Sequence, residues 1–327
     1  MINKKYYERM SPAEGRRVEK LREILAATKI PSKKADENLL IATFNIRELG
    51  APGRRRKGFA INALAEICSH FDLIAIQEAR QNLRDLDRMI RVLGPWWKAL
   101  FSDPSAPGKI GGRFTKGNDE RLVFLYDSRF VRFTGMAAEL LVTDDFLGAK
   151  GVAKTENSVP WRTPYMASWR AGHFDFMTLT VHIQWNSSGG IKARSKEIEM
   201  ITRWVGQRQR DARLYDPDVF VLGDFNIPTL GSATFRALKK HGLSVPKKLE
   251  QVRTNLKKDA HYDQIAYYAE NTECEIARAG VVDFYDAFFK GLSKAKRDAM
   301  TYQISDHLPL WVELSLLEQD LDQFIRQ

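Results

Sequence analysis

Cysteine is scarce in this chain. Its 327 residues include two, Cys68 and Cys274, which excludes a small secreted scaffold stapled by disulfides. No stretch approaches the roughly 18 apolar residues of a membrane span. The opening segment MINKKYYERMSPAEGRRVEK has no apolar core of signal-peptide length. A cytoplasmic, intracellular protein with no membrane partner is the expectation. Also lacking are a Cys/His group at zinc spacing, a CxxC pair, a serine elbow, a glycine-rich phosphate loop and any internal repeat. These absences point away from a protein nucleophile and toward a metal-activated water.

Charge is plentiful and unbalanced. The formal net charge is +10, which favours a polyanionic partner, nucleic acid or an anionic surface, without choosing between them. Arg54, Arg55, Arg56 and Lys57 form a run close to the first apolar segment, read here as facing substrate. Lys109, Arg113 and Lys116 lie in the Gly/Pro-rich stretch Asp103–Asn118, read as a mobile basic loop. The lysines between 239 and 258 read as a solvated surface.

Residues 1–37 differ from the rest. Ser11, Pro12 and Glu14 spell an N-cap, a first-turn proline and an acid at N3. Val18, Leu21, Ile24 and Leu25 then recur at helical spacing, and Pro31 stops the run. A charged amphipathic helix preceding the main domain follows, packed on its flank or holding a protein partner. Residues 38–316 are expected to form one catalytic domain and 317–327 a tail. Predicted strands are Leu39–Phe44, Leu73–Gln77, Leu122–Tyr126, Met166–Arg170, Phe174–Ile183, Val219–Leu222, Gln264–Tyr268 and Leu310–Leu314. Predicted helices are Phe59–His70, with Cys68 a buried thiol, Asn82–Val92, Ile191–Gln209 and Ser232–His241. Several strands adjoin as hairpins, which suits two mostly antiparallel sheets with helices outside.

Chemically capable residues recur at the ends of the apolar runs. Asn45, Glu78 and His182 each close one, Asp224 and Asn226 follow another, and Asp306-His307 precede the last. A single Asp or Asn at a strand end is ordinary turn chemistry, but strand ends on one edge converge on a common mouth. Glu78, Asp306 and Asn45 offer hard oxygen ligands for Mg²⁺, with Mn²⁺ as substitute. His182 and His307 are of the residue type whose free side chain is titratable near neutrality, as proton transfer requires. Asp224 and Asn226 supply an acceptor and a donor for water and a phosphoryl oxygen.

The segments IATFNIR (41–47), LIAIQEAR (73–80), ERLVFLY (120–126), TVHIQ (180–184), LGDFN (222–226), YDQI (262–265) and SDHLP (305–309) resemble, in order, the motif series of the endonuclease/exonuclease/phosphatase superfamily. The resemblance implies a two-sheet α/β sandwich with the active site at one edge. It implies Glu78 as the principal metal carboxylate with Asn45 and Asp306 beside it, and His307 next to the attacked phosphorus with Asp263 orienting it. It pairs His182 with Glu120 and leaves acid and base between the two histidines unassigned. A histidine at position 182 is similar to the deoxyribonuclease I, sphingomyelinase and inositol-phosphatase branches, not the exonuclease III-like one. The FNIR and QEAR strings are closest to deoxyribonuclease I, on which likeness Arg47, Arg80 and Arg162 would touch DNA. Asn118 stands where that enzyme has a groove-packing aromatic. Trp185 is a candidate to stack on a base. The function implied is a Mg²⁺-dependent endonuclease acting on DNA and possibly RNA, with a phosphomonoesterase or lipid phosphodiesterase of the same fold as the alternative.

Overall fold

The computed structural model describes residues 2, 4–110, 113–141, 159–185, 189–209, 218–269 and 275–316. Cys274 and the tail 317–327 lie outside them.

Two sheets make the body. The first contains β1 (Asn38–Leu49), β2 (Leu73–Arg80), β3 (Trp97–Phe101), β6 (Glu120–Asp127), β12 (Glu275–Val281) and β13 (Leu310–Ser315), in the order β12-β13-β1-β2-β6-β3. The second contains β7 (Arg132–Glu139), β8 (Tyr165–Ala171), β9 (Phe174–His182), β10 (Val219–Asp224) and β11 (Asp263–Tyr267), in the order β11-β10-β9-β8-β7. One pair in each sheet is parallel, β1 with β2 and β9 with β10, and the others are antiparallel. The sandwich of mostly antiparallel sheets is therefore as expected. Part of the stretch 103–118 forms a short hairpin, β4 (Gly108–Ile110) with β5 (Arg113–Thr115), and Ser105 bridges to Glu120. The basic stretch is thus partly built into the sheet edge rather than being an open loop.

Two-sided burial explains why the central strands read as unbroken apolar runs. Along β1, Leu39 and Ile41 enter the core between the sheets, while Leu40, Ala42, Phe44 and Ile46 face a helical layer. That layer includes the helices Gly58–Cys68 and Arg84–Leu93. The helix Pro12–Ala27 joins it through buried Val18, Leu21 and Leu25. At roughly 1.5–3 kcal/mol for each fully buried aliphatic side chain, these contacts hold the helix to the flank. Its start is the expected capping box: Ser11 accepts from the Glu14 N–H, and Glu14 accepts from the Ser11 N–H at 2.9 Å.

Chain direction gathers the candidate site residues at one edge. β11 and β13 run antiparallel to β10 and β1, so their beginnings lie where β1, β2, β9 and β10 end. In register, Asp224 faces both His182 and Asp263, and Arg80 faces Glu120.

Candidate active site

β1 and β2 lose regular pairing where they reach this edge. Register passes from Asn45↔Gln77 to Leu49↔Ala79, so three residues of β1 oppose one of β2. Glu48 and Glu78 take the left-handed backbone, with φ of 53° and 62°. Such a conformation costs a non-glycine residue about 1–3 kcal/mol and persists where its surroundings impose it. Its result is a held carboxylate: Glu78 accepts from Asn45 Nδ2 at 3.0 Å and from the Glu48 N–H at 2.9 Å.

Arg56 secures this bulge from inside. Its side chain is 1% exposed and donates to the carbonyls of Arg47, Glu48 and Gln303. Burial pushes its pKa down to about 10. Arg88 extends the brace, donating to the Arg56 carbonyl at 2.9 Å and holding Asp85 and Glu8. The expectation that Arg56 faces substrate is thereby corrected. A guanidinium sealed under three carbonyls reaches no ligand. Its neighbours differ: Arg55 is exposed, and the Arg54 guanidinium lies 3.7 Å from the Tyr302 ring centre.

Two imidazole–carboxylate pairs face each other across Asp224. His182 Nδ1 lies 2.9 Å from Glu120, and its Nε2 lies 3.4 Å from Asp224 Oδ2. His307 Nδ1 lies 2.8 Å from Asp263, and its Nε2 lies 3.8 Å from the same Asp224 oxygen. Asn45 Nδ2 donates to that oxygen at 3.0 Å. The other Asp224 oxygen accepts from the Asn226 N–H at 2.8 Å, and Asn226, itself at φ 51°, donates through Nδ2 to the Ile183 carbonyl. All these side chains except partly exposed Glu78 are buried.

The two pairs are tuned differently. Burial would raise the Glu120 carboxyl, but His182 and Arg162 outweigh it and hold the group well below the usual carboxylate range. Arg162 is 8% exposed, donating to Glu120 at 3.0 Å and to the His182 carbonyl. It therefore stands behind the pair, not on a DNA-facing surface as expected. Arg80 is likewise engaged, 2.6 Å from Glu48 and 3.7 Å from Glu120. At the other pair, burial pushes Asp263 up to about 6 against the pull of His307. Burial also works to discharge the His307 ring, but Asp263 and Asp224 outweigh it and set its pKa well above the ordinary value.

Asp306 has a partly exposed side chain, 3.4 Å from Arg47. Arg47 also donates to Thr301 and to the Tyr302 hydroxyl. Trp185 is 45% exposed and packs edge-on to Tyr262, which lies 5.6 Å from the His307 ring. Tyr262 and Ser305 stood in the quoted motifs without a role. The Ser305 hydroxyl donates to the Asn45 carbonyl at 2.6 Å and accepts from the His307 N–H, tying β1 to the last motif. Arg194, which carries no motif signal, donates to the Asn226 carbonyl at 2.6 Å and lies 4.6 Å from the Trp185 ring centre. Thr254 accepts the Asp263 N–H at 3.0 Å.

Asp224, Asp263 and His307 also form a buried group whose candidate ligand atoms lie within 4.8 Å of one another and could hold a metal. Among the described residues no helix is long and apolar enough to cross a membrane.

No family model matches the sequence, and no curated protein matches it. Solved structures do. An endonuclease/exonuclease/phosphatase family protein from Bacteroides thetaiotaomicron superposes with a TM-score of 0.58 at 16% identity, over 86% of this chain and 99% of that one. A mannosyl-6-phosphatase from the same organism gives 0.56 at 16% identity, covering 84% and 99%. TDP2 from D. rerio, complexed with a single-strand DNA product, gives 0.53 at 14% identity, covering 85% and 99%. The chain has the fold of the endonuclease/exonuclease/phosphatase proteins.

Proposed function

We propose that this protein is a metal-dependent endonuclease. It hydrolyses phosphodiester bonds of nucleic acid, DNA foremost and RNA as a second substrate, by attack of water on phosphorus. The observation that carries the reading is the shared target of the two imidazoles: both turn Nε2 toward one oxygen of Asp224, each with its Nδ1 against a carboxylate. That arrangement suits hydrolysis, in which one group removes a proton from water and another supplies one to the leaving oxygen. Asp224 is placed to orient the water. The second N–H of the Asn226 amide remains for a phosphoryl oxygen.

A divalent ion fits beside Asn45 and Glu78. Asn45 Oδ1 is buried with no donor to satisfy it among the described residues, a costly condition that a hard cation relieves. Glu78 supplies the charge and Asp306 completes an oxygen set suited to Mg²⁺ or Mn²⁺. Bound there, the ion supplies Lewis-acid stabilisation of charge on a phosphoryl oxygen. We place it there rather than in the Asp224–Asp263–His307 group, where Asp263 already serves His307 and Asp224 serves Asn45 and Asn226. Nucleic acid as substrate is supported by the net charge of +10 and by exposed Trp185 on the Tyr262–His307 aromatic wall. The single-strand DNA product bound to TDP2 adds an analogy of fold.

The test is digestion of plasmid, linear duplex, single-stranded DNA and RNA with Mg²⁺, Mn²⁺ or EDTA, beside sugar phosphates, inositol phosphates and sphingomyelin. Strand scission with either ion, abolished by EDTA, is the expected result. Phosphate release from monoesters without scission, or scission indifferent to EDTA, overturns the reading.

A further inference from the structure

A cavity of about 850 Å³ opens beside His307 and Asp306. Its far wall is the helix Lys294–Thr301, and its floor includes the turn 255–259. We propose that this cavity is a second phosphate subsite, holding the phosphate one nucleotide away from the bond being cut. The proposal rests on the nucleic-acid reading and narrows it: the substrate would be a strand whose neighbouring phosphate is recognised, not an isolated ester.

Charge is the first argument. Five cations, Arg47, Lys257, Lys258, Lys294 and Arg297, line the cavity against three acids, Asp259, Asp298 and Asp306. Arg47 is engaged by Asp306, and Lys258 by Asp283. Lys257, Lys294 and Arg297 are exposed and have no ion-pair partner among the described residues. An anion entering the cavity would meet those three charges.

The second argument is that the site is built rather than a spray of mobile lysines. Asn255 is buried, bridges to His307 across the chain, and accepts the N–H groups of Asp259 and Ala260 at 3.1 Å. The Leu256 N–H donates to the Asp306 carbonyl at 3.0 Å. Lys257 and Lys258 therefore sit on a turn whose first residues are pinned to the SDH segment and whose last are tied back to Asn255. A charge held in place loses less entropy on binding than a free side chain does.

Size is the third. The volume lies within the roughly 300–1,000 Å³ of sites that bury a whole organic ligand, more than one phosphoryl group needs. The rings of Tyr262 and Tyr285 on its wall could pack on a sugar or base between the two phosphates.

The test uses chromogenic diesters. Thymidine 5′-(p-nitrophenyl phosphate) and thymidine 3′-(p-nitrophenyl phosphate) are compared with the same compounds carrying a phosphate on the other sugar oxygen, which covers both strand polarities. For one polarity the added phosphate should raise kcat/KM about tenfold, the worth of one charge-assisted contact. In a Lys294→Glu/Arg297→Glu double variant the gain should fall to within about twofold. Lys257→Glu, on the separate turn, should reduce it as well, so misfolding of one variant leaves the other to decide. Diesters cleaved with no gain from either added phosphate overturn the subsite but spare the phosphodiesterase reading, as does a gain that survives all these substitutions. Cleavage of none of the diesters overturns the subsite, while scission of plasmid decides the nuclease reading separately.

Discussion

The two imidazole–carboxylate pairs are made of the same parts and behave differently. Glu120 beside His182 has Arg162 at its back and is held below the usual carboxylate range. Asp263 beside His307 has a threonine hydroxyl on its N–H and, among the described residues, no paired cation but the imidazole, and burial lifts it to about 6. A buried carboxylate is thus set by what stands behind it as much as by the imidazole in front. Two carboxylates with separated proton affinities give the molecule one that stays ionised to low pH and one that answers to pH nearer neutrality.

The largest expected effect removes either ring. His307→Ala and His182→Ala should each lower kcat about 10²–10⁴-fold with an unchanged far-ultraviolet dichroism spectrum. Near-normal turnover in one of them would show that the pairs do not share the work. Next is Arg162→Met, which strips the buried Glu120 charge of its nearest cation. Urea unfolding should record a loss of about 3–5 kcal/mol. A smaller loss would mean that His182 and Arg80 sustain the carboxylate without it.

The pH dependence of stability separates the pairs by sign. Glu120 has a carboxyl lowered from 4.5, so its contribution is present above that value and fades as pH falls toward the folded one. Asp263 has a carboxyl raised from 3.8 to about 6. Its contribution is held at low pH and lost as pH rises through about 6. Without metal, the cost of Glu120→Gln should therefore shrink between pH 7 and 3.5, while that of Asp263→Asn grows. Urea midpoints that move in parallel would dissolve the distinction. The smallest effect concerns the aromatic wall that only His307 has. Tyr262→Leu should lower kcat/KM by a few-fold, the value of one ring contact of about 1 kcal/mol.

How much of this could be read from residues alone depends on what each residue has for neighbours. Central strands such as Leu73–Gln77 announce themselves because both faces are buried. β3 (WKALF), β7 (RFTGMAAE) and β12 (EIARAGV) went unpredicted, and each is an edge strand. One partner and a wet face leave no apolar run to see. The candidate site groups were legible because backbone direction alone brings strand ends together: Asn45, Glu78, His182, Asp224, Asp263 and His307 meet within one network. Arg56 was misread because four consecutive basic residues look alike on paper. Only the carbonyls of Gln303, Arg47 and Glu48 single it out. Arg194 could not be found, since its partner is a backbone carbonyl that no pattern encodes.

The first 37 residues touch the body at more than the helix Pro12–Ala27. Lys33 reaches the end of the sheet opposite the site, 2.7 Å from Asp127 and 3.4 Å from Asp72, both fully buried. Asp72, lifted by burial to about 6, accepts the Leu40 N–H at 2.8 Å where β1 begins. A chain started at Asn38 would be left with an acid sealed against water and stripped of its nearest cation, at the root of the very strand that carries Asn45. Trimming the molecule to its apparent enzyme would thus cut a guy-line rather than a loose end.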